Sequence, residues 1–349
     1  MIIFCTAVLV IIAGMGLFFY KDTDGSQSRD RIYAFHIQPK NTIDVAFIGA
    51  SGVNRGWSSV EAWHNYGYTS WAWSTSAQPF YASKYIIKDI QRTQTPALYV
   101  ISYSPLRTED RKYSEGFIHD VVGSLPFSVN RLQAINKLMK YREDTDISPL
   151  YFTFPFLRFH NDWEIVFDEG KRLPVDANTM GTLVHEVHFG IEEVNTDYHE
   201  TDLVASLNDA ELEQLTGFLS WLKEEDLPVL FFITPRSPSE KQDARFKAVE
   251  AVFAEYGFPY LNLARDMDSI GLEGEADFQN GTHLNYWGRT KFTNFVSEYL
   301  LANYDLPDHR VDPAYSAWDD AYENYLSMVE YMLSQCDQFP AYDTDIEED

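Results

Sequence analysis

Four short stretches of this chain are apolar almost from end to end, and they constrain its fold more than any other feature. They are Val45 to Ile48, Ala97 to Ser102 (ALYVIS), Val229 to Thr234 (VLFFIT) and Pro259 to Leu263 (PYLNL). A strand with one face in water alternates apolar and polar residues, so runs without alternation read as strands covered on both faces. Helical patterns lie between them, at Tyr81 to Ile90, Asn208 to Lys223 and Arg245 to Tyr256, with Leu212, Leu215, Leu219 and Leu222 at three- and four-residue spacing. Asn208 followed by Glu211 is a capping-box start, and Gly257 is a stop. Doubly covered strands alternating with helices predict an α/β fold, a three-layer α/β/α sandwich around a central parallel sheet. In such a fold, ligands sit at the carboxyl ends of the strands.

The rest of the 349 residues is arranged around that core. Ile2 to Tyr20 holds no charged side chain and is long enough to cross a bilayer as a helix, so residues 1–20 are expected to form a transmembrane anchor. A cleaved signal peptide would carry a basic stretch before the apolar run and small residues after it, and neither is evident. Residues 21–42 are polar and read as a tether. The α/β domain is expected over 43–305, interrupted at about 103–206 by a long aromatic-rich insertion expected to cap the site. Residues 306–349 hold one helical pattern, about Ala314 to Met332, and the acidic tail DTDIEED. Lysines and arginines after the apolar run are mixed with aspartates, so charge alone does not orient the span.

Composition removes several function classes. With 27 Lys+Arg against 53 Asp+Glu, the net charge of -26 argues against nucleic acid as a partner. The two cysteines, Cys5 and Cys336, form no CxxC or Cys/His cluster, which argues against structural zinc and redox chemistry; no cofactor is expected. His185 and His188 are three apart, whereas a zincin motif needs histidines four apart on a helix, so no metal site is expected there.

Two stretches could carry chemistry. In DVAFIGASGVNRGW, residues 44–57, a strand runs into Gly49-Ala50-Ser51-Gly52 and leaves a hydroxyl at its carboxyl end. Ser51 is therefore either a helix cap or a nucleophile whose small neighbours let a carbonyl approach. In DFQNGTHLNYWGRTKFTNFVSEYL, residues 277–300, His283 precedes a helix with one apolar face, Phe292, Phe295, Val296, Tyr299 and Leu300. Imidazole, which ordinarily titrates at about 6.5, can act there as a general base or simply bond a carbonyl. In the insertion, Arg158, His160 and Trp163 suit either a sugar groove or packing. Arg107 and Arg236 each follow a buried strand, where they could bind an anionic group.

Together, GASGVN (49–54) and DFQNGTHLNYWG (277–288) resemble the first and last blocks of the SGNH/GDSL-type hydrolases, with YGYTSWAWSTSAQPFYASKYII (66–87) similar in outline to the second. Within that superfamily the chain is most similar to membrane-anchored envelope proteins of the D-alanine transfer (DltD) and alginate O-acetylation kind. The resemblance covers residues 43–102 and 228–302. It implies a flavodoxin-like sheet, Ser51 as nucleophile, His283 as base, and Asn280 or Asp277 as the group orienting the imidazole. The family's third-block asparagine has no counterpart in SYSPLR (102–107), so the expected oxyanion donors are the backbone N–H groups of Ser51 and Ser74 with Asn54, and Gly52, Gln78 and Arg107 complete the expected oxyanion and substrate residues. The family usually has Asp where this chain has Asn280, and a second-block glycine where it has Ser74. The implied activity is a serine esterase or O-acyltransferase acting on an acylated envelope polysaccharide outside the cell, in the company of a membrane-bound O-acyltransferase. A catalytically weak module that binds polysaccharide or assists such an acyltransferase is the alternative.

Overall fold

A computed structural model describes residues 28–108, 111–154, 157, 179–184, 194, 196, 198 and 200–335. Five parallel strands form the sheet: β1 (Val45–Gly49), β2 (Ser70–Ser74), β3 (Leu98–Ser102), β4 (Val229–Ile233) and β5 (Tyr260–Asn262), in the order β2-β1-β3-β4-β5. The fold is α/β, with helices on both faces of this sheet. The chain runs outward from β1 to β2 and then crosses back to β3, which pairs with the other side of β1. Loops leaving β1 and β3 therefore diverge, and the carboxyl end of β1 faces the crevice between them.

Alternate residues of each strand enter two separate cores. Val45 and Phe47 point to one, with Trp57, Phe232, Phe292 and Val296; Ala46 and Ile48 point to the other, with Trp71, Trp73, Phe231 and Phe253. Phe47 stacks on Trp57 at 3.9 Å and Phe231 on Phe253 at 4.0 Å between ring centroids. Burial of such a ring contributes about 1.5 to 3 kcal/mol, so removal of water from both faces, rather than strand propensity, holds the sheet.

The four apolar runs are four of the five strands, but β5, at the edge of the sheet, is not covered on both faces: Tyr260 is exposed and Leu261 half-buried. The fifth, β2, is SWAWS; its serines give it a polar look, yet all five residues are buried, with Trp71 and Trp73 in one core and Ala72 in the other. The Asn208 capping box is present on the helix Asp209–Glu224, and Gly257 adopts φ 72 after the helix Glu240–Glu255. That second helix begins five residues before the expected Arg245, because Ser239 and Gln242 form a further capping box.

The tether needs correction. Folded structure begins by Ser28, not Ile43, with helix α1 (Ser28–His36), whose Ile32, Ala34 and Phe35 are buried. Phe35 meets Trp71 edge-on at 5.8 Å, and the Arg31 guanidinium donates to the Ser74 carbonyl at 3.2 Å. Polar residues hide this helix in the sequence, because Ser28 and Arg31 are themselves buried. The expected anchor, residues 1–20, and the acidic tail lie outside the described residues. No described helix is long and apolar enough to cross a membrane.

The insertion also differs from expectation where it is described. Its helices Glu115–Ser124, Val129–Leu138 and Pro149–Thr153 bury Ile118, Val121, Ile135, Leu138 and Phe152 in the core that holds Trp71 and Trp73. They thicken one helical layer, packing on α1 and on the helix Ser83–Ile90, rather than capping the site. At the other end of the chain, the helix Ser316–Gln335 lies against the helix Ser59–Tyr66; Trp63 Nε1 donates to Asp319 at 2.9 Å.

Candidate active site

β1 ends at Gly49 and a short helix, Ser51–Gly56, begins almost at once. Its cap position is Ala50, which makes no side-chain cap bond, so the Ser51 hydroxyl is not spent on capping. It lies instead 2.8 Å from His283 Nε2, across 232 residues of sequence. Gly52 packs against β4: a Cβ there would lie 2.5 Å from Thr234 Oγ1, so the close approach of helix and strand end favours glycine.

His283 opens β7 (His283–Leu284), which pairs antiparallel with β6 (Phe278–Asn280) so that Asn280 faces His283. Asn280 Oδ1 accepts from Thr282 N at 3.0 Å and Thr282 Oγ1 at 3.1 Å, and lies 3.1 Å from His283 Nδ1. A backbone N–H can only donate, so the atom facing it must be the amide oxygen and not the NH₂. That oxygen in turn requires the proton on Nδ1. The Nε2 lone pair is then turned toward Ser51, the arrangement a general base needs. Thr282 Oγ1, 3.3 Å from Nδ1, is a second neighbour of the ring.

The hairpin is held from several sides. Asn285 caps the helix Tyr286–Asn303 by accepting from Gly288 N at 3.1 Å, and its own NH₂ donates to the Ala276 carbonyl at 2.6 Å. Ser237 N donates to the Gly281 carbonyl at 3.1 Å, and Arg55 donates to Gln279 Oε1 at 2.8 Å. Asp277 takes part in this bracing and does not orient the imidazole: its carboxylate accepts from Lys291 Nζ at 2.6 Å and from Glu273 N at 2.7 Å. Between Asp277 and Asn280, the geometry therefore gives the ring to Asn280.

A Cβ on Gly288 would come within 2.1 Å of the Asp277 carbonyl oxygen, a backbone atom that cannot swing aside. Gly288→Ala is expected to lower stability by about 1 to 3 kcal/mol, read as a fall in the thermal midpoint, and to displace His283 with it.

The other expected site residues are spread around this pair. Ser74 ends β2 opposite Gly49, fully buried, with its hydroxyl unpartnered. Gln78 Oε1 accepts from Thr75 N at 3.2 Å and so pins the turn that follows Ser74. Asn54 is buried in the helix that Ser51 starts, and its amide oxygen has no partner. Arg236 is buried beyond β4. Arg107 ends a 3-10 turn after β3; its side chain, like Arg158, His160, Trp163, His185 and His188, lies outside what is described. Among the described residues no group of three His, Cys, Asp or Glu could hold a metal ion.

Sequence reasoning missed Thr282 and Thr234. The first is the donor that fixes Asn280; the second is the polar residue closing VLFFIT, and its position at a strand's carboxyl end was the available signal. No protein-family model matches the chain, and no curated protein matches it.

Proposed function

We propose that the chain is a serine ester hydrolase or O-acyltransferase of the SGNH type, acting on acyl groups of a cell-envelope polysaccharide. One observation carries this: Ser51 Oγ, His283 Nε2 and Asn280 Oδ1 form a continuous relay, 2.8 Å and 3.1 Å long, at the carboxyl edge of a parallel sheet. The 2-1-3-4-5 strand order is also the flavodoxin-like order that this superfamily uses. Ser51 attacks the acyl carbonyl while His283 takes its proton at Nε2. The backbone N–H group of Ser51, with Asn54 as a side-chain donor, holds the developing oxyanion; Ser74, fully buried, supports the strand end beside them. His283 then returns the proton to the departing hydroxyl. Water or a sugar hydroxyl, deprotonated by the same nitrogen, releases the acyl group from Ser51. An N-terminal anchor would keep this body at the membrane, outside the cell, beside a membrane-bound O-acyltransferase.

Asn280 in place of a carboxylate favours a second reading, a catalytically weak module that binds polysaccharide or assists an acyltransferase, because an amide cannot stabilise imidazolium by charge. Incubation of the protein with p-nitrophenyl acetate and a fluorophosphonate separates the two. Turnover with labelling is the expected result; an unlabelled, inert protein supports the second reading.

A further inference from the structure

A second concave surface lies apart from the Ser51–His283 pair. It is a groove of about 690 Å³ between the segments that follow β2 and β3 and the helix Asp209–Glu224. Because β2 and β3 flank β1, this groove and Ser51 share the same edge of the sheet. Its volume is that of a small-ligand site.

Its charge is opposite to that of the chain. Lys84, Arg111, Lys112, Lys137, Lys140 and Arg245 line it, against Glu211 and Glu213, a surplus of four positive charges on a protein whose net charge is -26. Arg245 is paired with Glu211, but Lys137 Nζ donates to the neutral Gln214 amide at 3.0 Å. Lys84 Nζ lies over the Trp221 ring at 4.6 Å. Burial first, and then neighbouring lysines, push the ammonium groups of both Lys84 and Lys137 below the ordinary lysine range. A cation held among other cations gains from a bound anion.

The walls are aromatic. Tyr81 stacks on Tyr141 at 5.6 Å, and Lys137 sits over both rings, at 5.0 and 5.7 Å. The Tyr141 hydroxyl is buried without a partner. Flat apolar faces beside ammonium groups and phenolic hydroxyls suit a sugar ring that carries a negative charge. A long nucleic acid would meet the acidic remainder of the surface; a short ligand would not.

We infer that this groove binds a short anionic saccharide, one carrying carboxylate or phosphate groups, at a site separate from Ser51 and His283. It does not depend on the esterase reading. The test is calorimetry on the full chain carrying Ser51→Ala, so that nothing is turned over, with four probes: trigalacturonate, glucose 6-phosphate, neutral maltotriose and a short oligothymidylate. At least one anionic sugar should bind about tenfold or more tighter than maltotriose. The tighter of the two identifies carboxylate or phosphate as the favoured group. Raising salt from about 50 to about 500 mM should weaken that binding. Adding Lys112→Glu and Lys140→Glu, both exposed positions and so compatible with folding, should weaken it about tenfold. Equal binding of maltotriose, tighter binding of the oligothymidylate, binding by neither anionic sugar, or affinity unchanged by the two reversals would overturn the inference.

Discussion

Ser51→Ala should lower ester turnover about ten-thousandfold, to near the uncatalysed level, and abolish fluorophosphonate labelling. The effect is large because the substitution removes the attacking atom itself. The fold should hardly notice. Ser51 makes no cap bond, and its hydroxyl meets His283 at a partly exposed position, so the loss costs at most about 1 kcal/mol. Steady-state kinetics beside a thermal melt distinguish these effects: lost activity with an unchanged melt identifies a nucleophile, whereas loss of both would point to a structural serine. Retained turnover would remove Ser51 from the chemistry.

The second large effect runs the other way. Asn280→Asp is expected to raise kcat/KM by about ten- to a hundredfold. In a serine triad, replacing Asp by Asn costs rate partly because the amide NH₂ can turn toward the ring and impose the wrong tautomer. Here Thr282 N–H holds the amide oxygen toward Nδ1, so the tautomer is already correct and only the charge is missing. A carboxylate at 280 supplies that charge and stabilises imidazolium as Ser51 loses its proton. It also favours the protonated ring before the reaction, so the acid limb of the rate profile should move to higher pH. That shift separates an electrostatic gain from a rearranged loop. A slower Asn280→Asp enzyme with an unmoved acid limb would mean that Asn280 positions the hairpin and does not serve the imidazole.

The parts legible in the sequence were those whose neighbours are local. Runs such as VLFFIT are covered on both faces whatever covers them, so their burial shows in composition alone. Asn208 and Glu211 satisfy each other within one turn. What could not be read depends on distant partners. SWAWS is a strand because Phe35 of α1 and Trp318 of the C-terminal helix cover Trp71, and α1 folds because Trp71 receives Phe35. Within the candidate site, the Ser51 and His283 blocks were visible as small-residue and loop motifs. The choice between Asn280 and Asp277 was not, since it turns on Lys291 and Glu273 claiming the carboxylate. The groove was hidden for the same reason: Lys84, Lys112, Lys137 and Arg245 come from four separate stretches.

If the glycine-flanked hydroxyl of Ser51 and the imidazole 232 residues later act as one chemical unit, peptide mass mapping after fluorophosphonate treatment will reveal it. The adduct should fall on the tryptic peptide spanning residues 41–55, at Ser51, and should be absent when His283 is replaced by Ala. An adduct on any other serine, or one formed as fast without His283, would contradict it.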